Sequence, residues 1–178
     1  SGVDTVFSKA GINIDLTIVR ENIEDTYGGI EHMLTQDVAI ARRFITRGGS
    51  EQVIRYAFEM AQKKGARRIT CGHKANIMKA LTGIFLETGL ELYERKYKGQ
   101  FELDTVIIDA CAMKLVLNPW QFDMLVTTNL FGDILSDLGP ATTGTIGLAP
   151  SANLNPERTF PSLFEPVHGS APDIYGQN

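Results

Sequence analysis

Features that would place a protein in a functional class at first sight are scarce in this sequence. It has only two cysteines, Cys71 and Cys111, which lie in apolar stretches far apart in the chain. We therefore expect two buried, reduced thiols rather than a disulfide or a zinc site, in a cytoplasmic protein or, in a eukaryote, one of the mitochondrial matrix. No apolar run approaches the roughly 20 residues of a membrane-spanning helix, so membrane association is not expected.

Basic charge is also in short supply. The 178 residues include 17 Lys and Arg against 21 Asp and Glu, which gives a formal net charge of -4. Binding to a phosphate backbone usually needs a basic face, so this charge argues against nucleic acid as a partner. The Gly-x-Gly-x-x-Gly run that marks a Rossmann dinucleotide site is missing as well. The remaining composition, with 43% hydrophobic and 21% charged residues, is that of an ordinary globular protein.

Helix and strand patterns alternate through the middle of the chain. Ser50 is the predicted N-cap of a helix that follows a break at Gly48-Gly49 and ends at Gly65. Further helices are predicted at 77–97, at 111–117 and from 132 onward, and strands at 13–20, within 38–46 around Phe44-Ile45, and at 68–72, 105–108, 122–127 and 162–165. This order favours an α/β fold, with a mostly parallel sheet flanked by helices.

Two aspartates, Asp133 and Asp137, lie one helical turn apart at a predicted helix start that directly follows a strand. This spacing puts both carboxylates on one helix face, where they repel each other. A divalent cation would offset most of the repulsion. Two solvated acids in a first helical turn, partly offset by the helix dipole, explain the spacing equally well.

Other polar residues stand at or near the ends of predicted strands. Asp109 is either the N-cap of the next helix or a ligand at the carboxyl edge of the sheet, where open α/β sheets bind ligands. Lys74 is either solvated or a desolvated proton acceptor beside a cation. Arg20 suits a substrate carboxylate and Tyr27 suits proton transfer. Taken alone, a surface ion pair and a packed aromatic are the simpler interpretations of these last two residues.

In combination these features become specific, because longer motifs occur in one order along the chain. The motifs are VRENIEDTYGGIE at 19–31, HKANIMK at 73–79, Asp109, NLFGDILSD at 129–137, GLAPSAN at 147–153 and FEPVHGSAPD at 164–173. Together they resemble the isocitrate and isopropylmalate dehydrogenase family over nearly the whole chain. Within that family the loop at 19–31 is more similar to isocitrate dehydrogenases than to isopropylmalate dehydrogenases. The loop at 164–173 is similar to that of the NAD-using members.

The resemblance implies a role for each candidate residue. Asp133 and Asp137 from one subunit, with Asp109 from its dimer partner, would bind Mg²⁺ or Mn²⁺. Lys74, also lent by the partner, would help to remove the substrate hydroxyl proton, and Tyr27 would protonate the carbon left after decarboxylation. Arg20 would hold a substrate carboxylate. The residues implied at the cofactor are Asn76 on the nicotinamide side, Glu165, and, along the adenosine diphosphate, His168, Gly169, Ser170, Ala171 and Asp173.

The reaction implied by the resemblance is the metal-dependent oxidative decarboxylation of isocitrate to 2-oxoglutarate with reduction of NAD. Asp173 favours NAD, because a carboxylate can accept a hydrogen bond from a ribose hydroxyl and would repel a 2′-phosphate. Two alternatives stay open: a dehydrogenase for a related 2-hydroxy acid such as isopropylmalate, homoisocitrate or tartrate, and an inactive or regulatory dimerising fragment.

The same resemblance implies an organisation of the chain. Residues 1–47 would form a strand and an intersubunit clasp region, 48–138 the α/β core of the small, dimer-forming domain, and 139–178 part of the large cofactor-binding domain. A homodimer with shared active sites follows from it.

The sequence also departs from the family pattern. It lacks the family's Gly-rich opening segment, its N-terminal substrate-binding set and the final Asn-Pro element, so we expect a fragment of a longer enzyme. Thr82 stands where an acid is common, and Gly139-Pro140 is expected to interrupt a helix.

Overall fold

The computed structural model describes residues 4–145, 147–170, 172 and 176. In chain order its helices and strands are α1 (Val6–Lys9), β1 (Thr17–Arg20), β2 (Glu31–Thr35), β3 (Val38–Ala41), α2 (Arg47–Lys64), β4 (Arg68–His73), α3 (Gly83–Leu92), β5 (Glu102–Ile107), α4 (Ile108–Leu117), β6 (Met124–Thr127), α5 (Asn129–Thr143), β7 (Pro150–Asn153) and β8 (Leu163–Pro166). Short 3₁₀ turns lie at Asp25–Gly28 and Pro119–Gln121, and a π-helical turn, Tyr93–Tyr97, extends α3.

A parallel sheet of four strands, in the order β1-β6-β4-β5, positions the candidate site. Arg20 pairs in register with Thr127, and His73 pairs with Ile107. All four strands run in the same direction, so their carboxyl ends share one edge of the sheet, the edge at which open α/β sheets bind ligands. The prediction of an α/β fold with a mostly parallel sheet is confirmed.

Helices cover both faces of this sheet. On one face α2 and α3 bury Ile54, Phe58 and Phe85 against the strands, and on the other face α4 and α5 bury Leu115 and Leu135. Successive strand residues point to opposite faces, which is why neighbouring residues of β6 belong to different cores. Each fully buried side chain of this size contributes roughly 1.5–3 kcal/mol of transfer free energy.

Both cysteines are buried and free, one in each core. Burial raises the pKa of the Cys71 and Cys111 thiols to about 12, so neither is a reactive thiolate at neutral pH. The prediction of two buried thiols is confirmed.

The predicted start of α2 was wrong. Thr46 is the N-cap, its hydroxyl accepting the Gly49 N–H at 3.0 Å, and the helix runs through Gly48-Gly49 from Arg47. Glu24, from the distant first loop, accepts the Thr46 N–H at 2.8 Å and fixes this earlier start. The end of the helix at Gly65 is confirmed, in the left-handed conformation expected of a C-cap glycine.

Two other predicted elements differ from the structure. The helix predicted at 77–97 begins only at Gly83, because the fully buried Thr82 hydroxyl accepts the Lys74 N–H and holds the preceding segment in turns. In contrast, α5 continues through Pro140 to Thr143, so Gly139-Pro140 does not interrupt it.

Two strand predictions also need correction. The first strand occupies only Thr17–Arg20 of the predicted 13–20, and the strand expected around Phe44-Ile45 lies earlier, at Val38–Ala41. Two strands were not predicted: β7, which pairs with β8 in a two-stranded antiparallel sheet, and β2, which pairs with β3.

The hairpin of β2 and β3 stands apart from both cores. Its side chains are largely exposed, including the apolar Met33, Leu34 and Val38. Within the described ranges, no helix has both the length and the apolar character needed to cross a membrane.

Candidate functional site

The four parallel strands deliver one candidate group each to the shared edge of the sheet. Arg20 ends β1, Lys74 directly follows β4, Asp109 lies in the first turn of α4 directly after β5, and Asp133 lies near the start of α5, which follows β6. This placement arises because polar residues stand where each strand ends, whether the chain continues into a loop, as after β1 and β4, or into a helix, as after β5 and β6.

Arg20 is the centre of the first group. Its Nε donates to Asn129 Oδ1 at 2.8 Å and its guanidinium donates to Asp133 Oδ1 at 2.6 Å. The guanidinium carbon lies 5.0 Å from the centre of the Tyr27 ring, within cation–π range. The Arg20 side chain is 24% exposed and that of Asp133 is 48% exposed, so both remain reachable by a small ligand.

Tyr27 is suited to donating a proton. Partial burial, and after it the neighbouring Asp133 carboxylate, raise the pKa of Tyr27 above its ordinary value of 10.0. A raised pKa makes the phenol a weaker acid, but its hydroxyl stays protonated at neutral pH, as a general acid must be before it reacts.

Gly132 makes room for Arg20. A Cβ at this position would stand 2.6 Å from Arg20 Cγ and 2.8 Å from Arg20 Cβ, both too close for a real contact. Since these atoms belong to the base of the arginine side chain, Arg20 can lie on α5 only where α5 has a glycine.

Lys74 and Asp109 form the second group. Lys74 Nζ lies 3.0 Å from Asp109 Oδ2, and this hydrogen bond lowers the pKa of Asp109. The lysine backbone is held by Thr82, and the Ala75 N–H donates to His73 Nδ1 at 3.1 Å. Burial lowers the pKa of His73, which favours the neutral ring that this bond requires. Asp109 lies in the first turn of α4 and is not its N-cap, since the N-cap position is occupied by Ile107.

The three aspartates predicted to bind metal do not meet in one chain. Among the described residues no group of three or more His, Cys, Asp or Glu side chains converges as a metal cluster would. Asp133 and Asp137 share a face of α5, whereas Asp109 lies with Lys74. Carboxylate oxygens suit Mg²⁺ or Mn²⁺, but two of them leave most of a six-coordinate shell to other donors.

A cleft of about 1090 Å³ lies beside the first group. Its lining includes, among the predicted site residues, Arg20, Asp133, Asp137, Glu165, His168 and Gly169. One hydrogen bond links two segments that line this cleft, from Asn22 to Asn153 Oδ1, and Asn153 in turn donates to Glu165 on the paired strand at 3.2 Å.

The other predicted cofactor residues are placed less closely. Asn76 is exposed in the turn after β4, and Ser170 is exposed in the loop after β8. Neither belongs to the lining of the cleft. Ala171 and Asp173 lie outside the described residues.

Two contributors to this site were not predicted from the sequence. Asn129 holds Arg20 and also donates to the Glu24 carbonyl at 3.1 Å. Its position directly after a strand was an available signal. Asp25 accepts the Leu130 N–H at the start of α5 at 3.2 Å, and no sequence pattern distinguishes it from the other acids of the loop.

An open parallel sheet with acidic, basic and phenolic side chains at its carboxyl edge, beside a cleft, defines a ligand-binding α/β protein. The family model described as isocitrate/isopropylmalate dehydrogenase matches residues 4–178. The chain belongs to this family, as its motifs predicted.

Individual relatives support the assignment. A homoisocitrate dehydrogenase from Methanocaldococcus jannaschii is 51% identical over 93% of this chain and 46% of its own length. An isocitrate dehydrogenase [NADP] from Thermus thermophilus is 46% identical over 95% of this chain and 33% of its own length. The crystal structure of isocitrate dehydrogenase from Methylococcus capsulatus matches with a TM-score of 0.88 at 47% identity, over 98% of this chain and 50% of that one. The chain thus spans half or less of the length of these relatives, which differ in the substrate they are named for.

Proposed function

We propose that this chain carries catalytic residues of a metal-dependent decarboxylating dehydrogenase that oxidises isocitrate, or a closely related 2-hydroxy acid, with NAD. The observation that carries the proposal is the contact of Arg20 with Asp133 and Tyr27 at the carboxyl edge of the sheet. A cation for a carboxylate, an acid for a metal and a phenol for proton transfer are the groups this reaction requires.

The metal would be held by Asp133 and Asp137, with Asp109 supplied by a second copy of the chain. When bound, the metal would supply a Lewis acid beside the substrate hydroxyl, and the nucleotide a hydride acceptor. Arg20 would bind and orient a substrate carboxylate through its planar fork. Lys74 Nζ would accept the hydroxyl proton, and the Tyr27 hydroxyl would give its proton to the carbon that has lost carbon dioxide.

The proposed assembly is a homodimer with shared sites. Lys74 and Asp109 contact each other rather than the Arg20 group, so a complete set of roles calls for a second copy. The β2–β3 hairpin offers exposed apolar side chains, and in this proposal it is the intersubunit clasp. The division into a clasp region (1–47), a dimer-forming core (48–138) and part of a cofactor-binding domain (139–178) belongs to the same proposal.

The preference for NAD over NADP rests on the sequence alone. Asp173 would accept from the ribose and repel a 2′-phosphate. The Thermus thermophilus relative is named for NADP and is 46% identical, so kcat/KM must be measured with both nucleotides. We expect kcat/KM to be higher with NAD, and an NADP preference would overturn this part of the proposal.

The deciding experiment is an absorbance assay of reduced nucleotide with Mn²⁺ and a panel of isocitrate, homoisocitrate, isopropylmalate, tartrate and D-malate. It is run on the 178-residue chain and on the chain extended by whatever residues its gene encodes on either side. We expect little or no turnover from the 178-residue chain and NADH formation from the extended one, with isocitrate favoured. The Tyr27→Phe variant is the control for chemistry at this site. Absence of turnover with every acid in the extended protein would refute the proposed function.

A further inference from the structure

Asp25 combines a fully buried carboxylate with an unusual backbone. Its side chain has no exposed surface, and its φ of 73° lies in the left-handed region that residues other than glycine, asparagine and aspartate rarely adopt. A glycine would occupy this backbone conformation at lower cost. The backbone alone therefore does not explain an acid at this position, whereas the contacts of its carboxylate do.

The carboxylate is fully engaged by two other segments. Two guanidinium nitrogens of Arg43 donate to it, Nε to Oδ1 and Nη2 to Oδ2 at 2.9 Å. Oδ2 also accepts the Leu130 N–H at the first turn of α5. Burial acts to raise the pKa of Asp25, but the bonds from Arg43 and Leu130 outweigh it and the pKa is lowered. A bidentate pair of this kind fixes orientation as well as distance.

Arg43 is itself held from several sides. Its side chain is 17% exposed, and its guanidinium carbon lies 5.0 Å from the centre of the Phe131 ring. The Asp25 N–H donates to the Phe44 carbonyl at 2.9 Å, so backbone and side chain tie the same two segments together.

The three segments joined by this pair are those that carry the proposed chemistry. The loop of Asp25 contains Tyr27, and the first turns of α5 contain Asn129 and Asp133. The segment of Arg43 follows directly from the β2–β3 hairpin. A change in the Asp25–Arg43 pair therefore reaches both sides of the Arg20 cluster.

We infer that Asp25 and Arg43 form a positioning pair, which holds the Tyr27 loop and the start of α5 in the one arrangement that lets the phenol and the Arg20–Asp133 pair face the same substrate. The inference rests on the proposed function for its kinetic test, although its structural part does not. It predicts that the carboxylate of Asp25, and not merely its left-handed backbone, is required.

The kinetic test compares Asp25→Gly with Asp25→Asn in the extended protein. Glycine keeps the backbone and removes every side-chain contact, whereas asparagine keeps the size and one acceptor oxygen. We expect kcat/KM for the hydroxy acid to fall about 100-fold in the glycine variant, the loss that a misplacement of reacting groups by about 1 Å can cause. The asparagine variant is expected to be intermediate, and KM for the nucleotide to be unchanged in both.

Arg158→Gly is the matched control. Arg158 is the other described non-glycine residue with a left-handed backbone, with φ of 56°, and it lies exposed on the surface. Relief of backbone strain alone should leave its kinetics unchanged. A folded Asp25→Gly protein with the kcat/KM of the parent would overturn the inference. If the glycine variant does not fold, an asparagine variant with parental kinetics would do the same.

A second readout separates this inference from the proposed function. Fluorotyrosine is incorporated, and the ¹⁹F resonance of Tyr27 is assigned with Tyr27→Phe at one fixed pH. We expect this resonance to shift or broaden in folded Asp25→Gly and to stay in place in Arg158→Gly, whether or not any acid is turned over. No turnover in the parent defeats the proposed function, whereas an unmoved Tyr27 resonance in Asp25→Gly defeats the positioning pair.

Discussion

Gly132 lies directly beneath the base of the Arg20 side chain, at a distance that leaves no room for a methyl group. A Cβ there would stand 2.6 Å from Arg20 Cγ. Because Gly132 has no side chain, the Arg20 guanidinium can reach Asn129 and Asp133.

The first prediction concerns this contact. In an exposed helix, Gly→Ala usually stabilises by about 0.5–1 kcal/mol, but at Gly132 the new methyl would displace Arg20. We expect Gly132→Ala to lower stability by about 1–3 kcal/mol and to raise KM for the hydroxy acid more than KM for the nucleotide. Urea denaturation and steady-state kinetics measure the two effects. Gly48→Ala, in α2 with nothing within 4 Å of the added Cβ, is the control and should not destabilise.

Two buried threonines should respond in opposite ways to the same change. The Thr82 hydroxyl accepts the Lys74 N–H at 3.1 Å and donates to the Met78 carbonyl at 3.2 Å, so Thr82→Val should cost about 1–3 kcal/mol of unfolding free energy. The Thr70 hydroxyl is buried without a hydrogen-bond partner in the described structure, so Thr70→Val should be neutral or stabilising by about 1 kcal/mol. If Thr70→Val lowered the free energy of unfolding as much as Thr82→Val, the Thr70 hydroxyl would have to make a stabilising hydrogen bond, and the prediction would be wrong.

The third prediction is a dependence of stability on pH. Because the pKa of Asp25 is lower in the folded chain than the ordinary 3.8, the unfolded chain binds more protons in the acid range. The contribution of Asp25 should therefore be present above the unfolded pKa and disappear as the pH falls through the folded pKa. Urea denaturation at decreasing pH should show that the free energy of unfolding falls less in Asp25→Asn than in the parent. If it falls equally in both proteins, Asp25 does not contribute to the pH dependence of stability.

Metal binding provides the fourth prediction. We expect Asp137→Asn and Asp109→Asn each to weaken Mn²⁺ binding at least about tenfold. Loss of a residue that only hydrogen-bonds to a metal ligand already lowers metal affinity by about that factor. Electron paramagnetic resonance of free Mn²⁺ measures it without any need for turnover. Asp4→Asn removes an exposed carboxylate outside the site and should bind as the parent does. An effect of Asp137 without one of Asp109 would refute a site shared between copies.

The last prediction concerns assembly. Met33 and Leu34 of the β2–β3 hairpin are 59% and 62% exposed, which is unfavourable for apolar side chains unless something covers them. Sedimentation should find a dimer, and Leu34→Glu should shift it towards monomer. Lys63→Glu, at an exposed position in the last turn of α2, should sediment as the parent does.

Some parts of the fold and of the candidate site could be predicted from the sequence, and others could not. The alternation of patterns predicted the parallel sheet, and residues placed directly after strands, such as Lys74 and Asp133, could be expected at one edge. The role of Asp25 could not be found, because a buried acid with a left-handed backbone looks like any loop acid in the sequence. Thr46 was missed as an N-cap for a related reason: Glu24 fixes it from a distant loop, and local capping rules do not include such contacts.

The order of the strands has a consequence for genetics. Arg20 ends β1 and Asp133 follows β6, whereas Lys74 follows β4 and Asp109 follows β5. The sheet therefore spreads the two groups along an edge about 14 Å wide. In the proposed dimer each complete site takes one group from each copy. A mixed dimer of a Lys74 variant and an Asp133 variant would concentrate both defects in one site and leave the other intact. Two individually dead alleles of this gene should then complement each other.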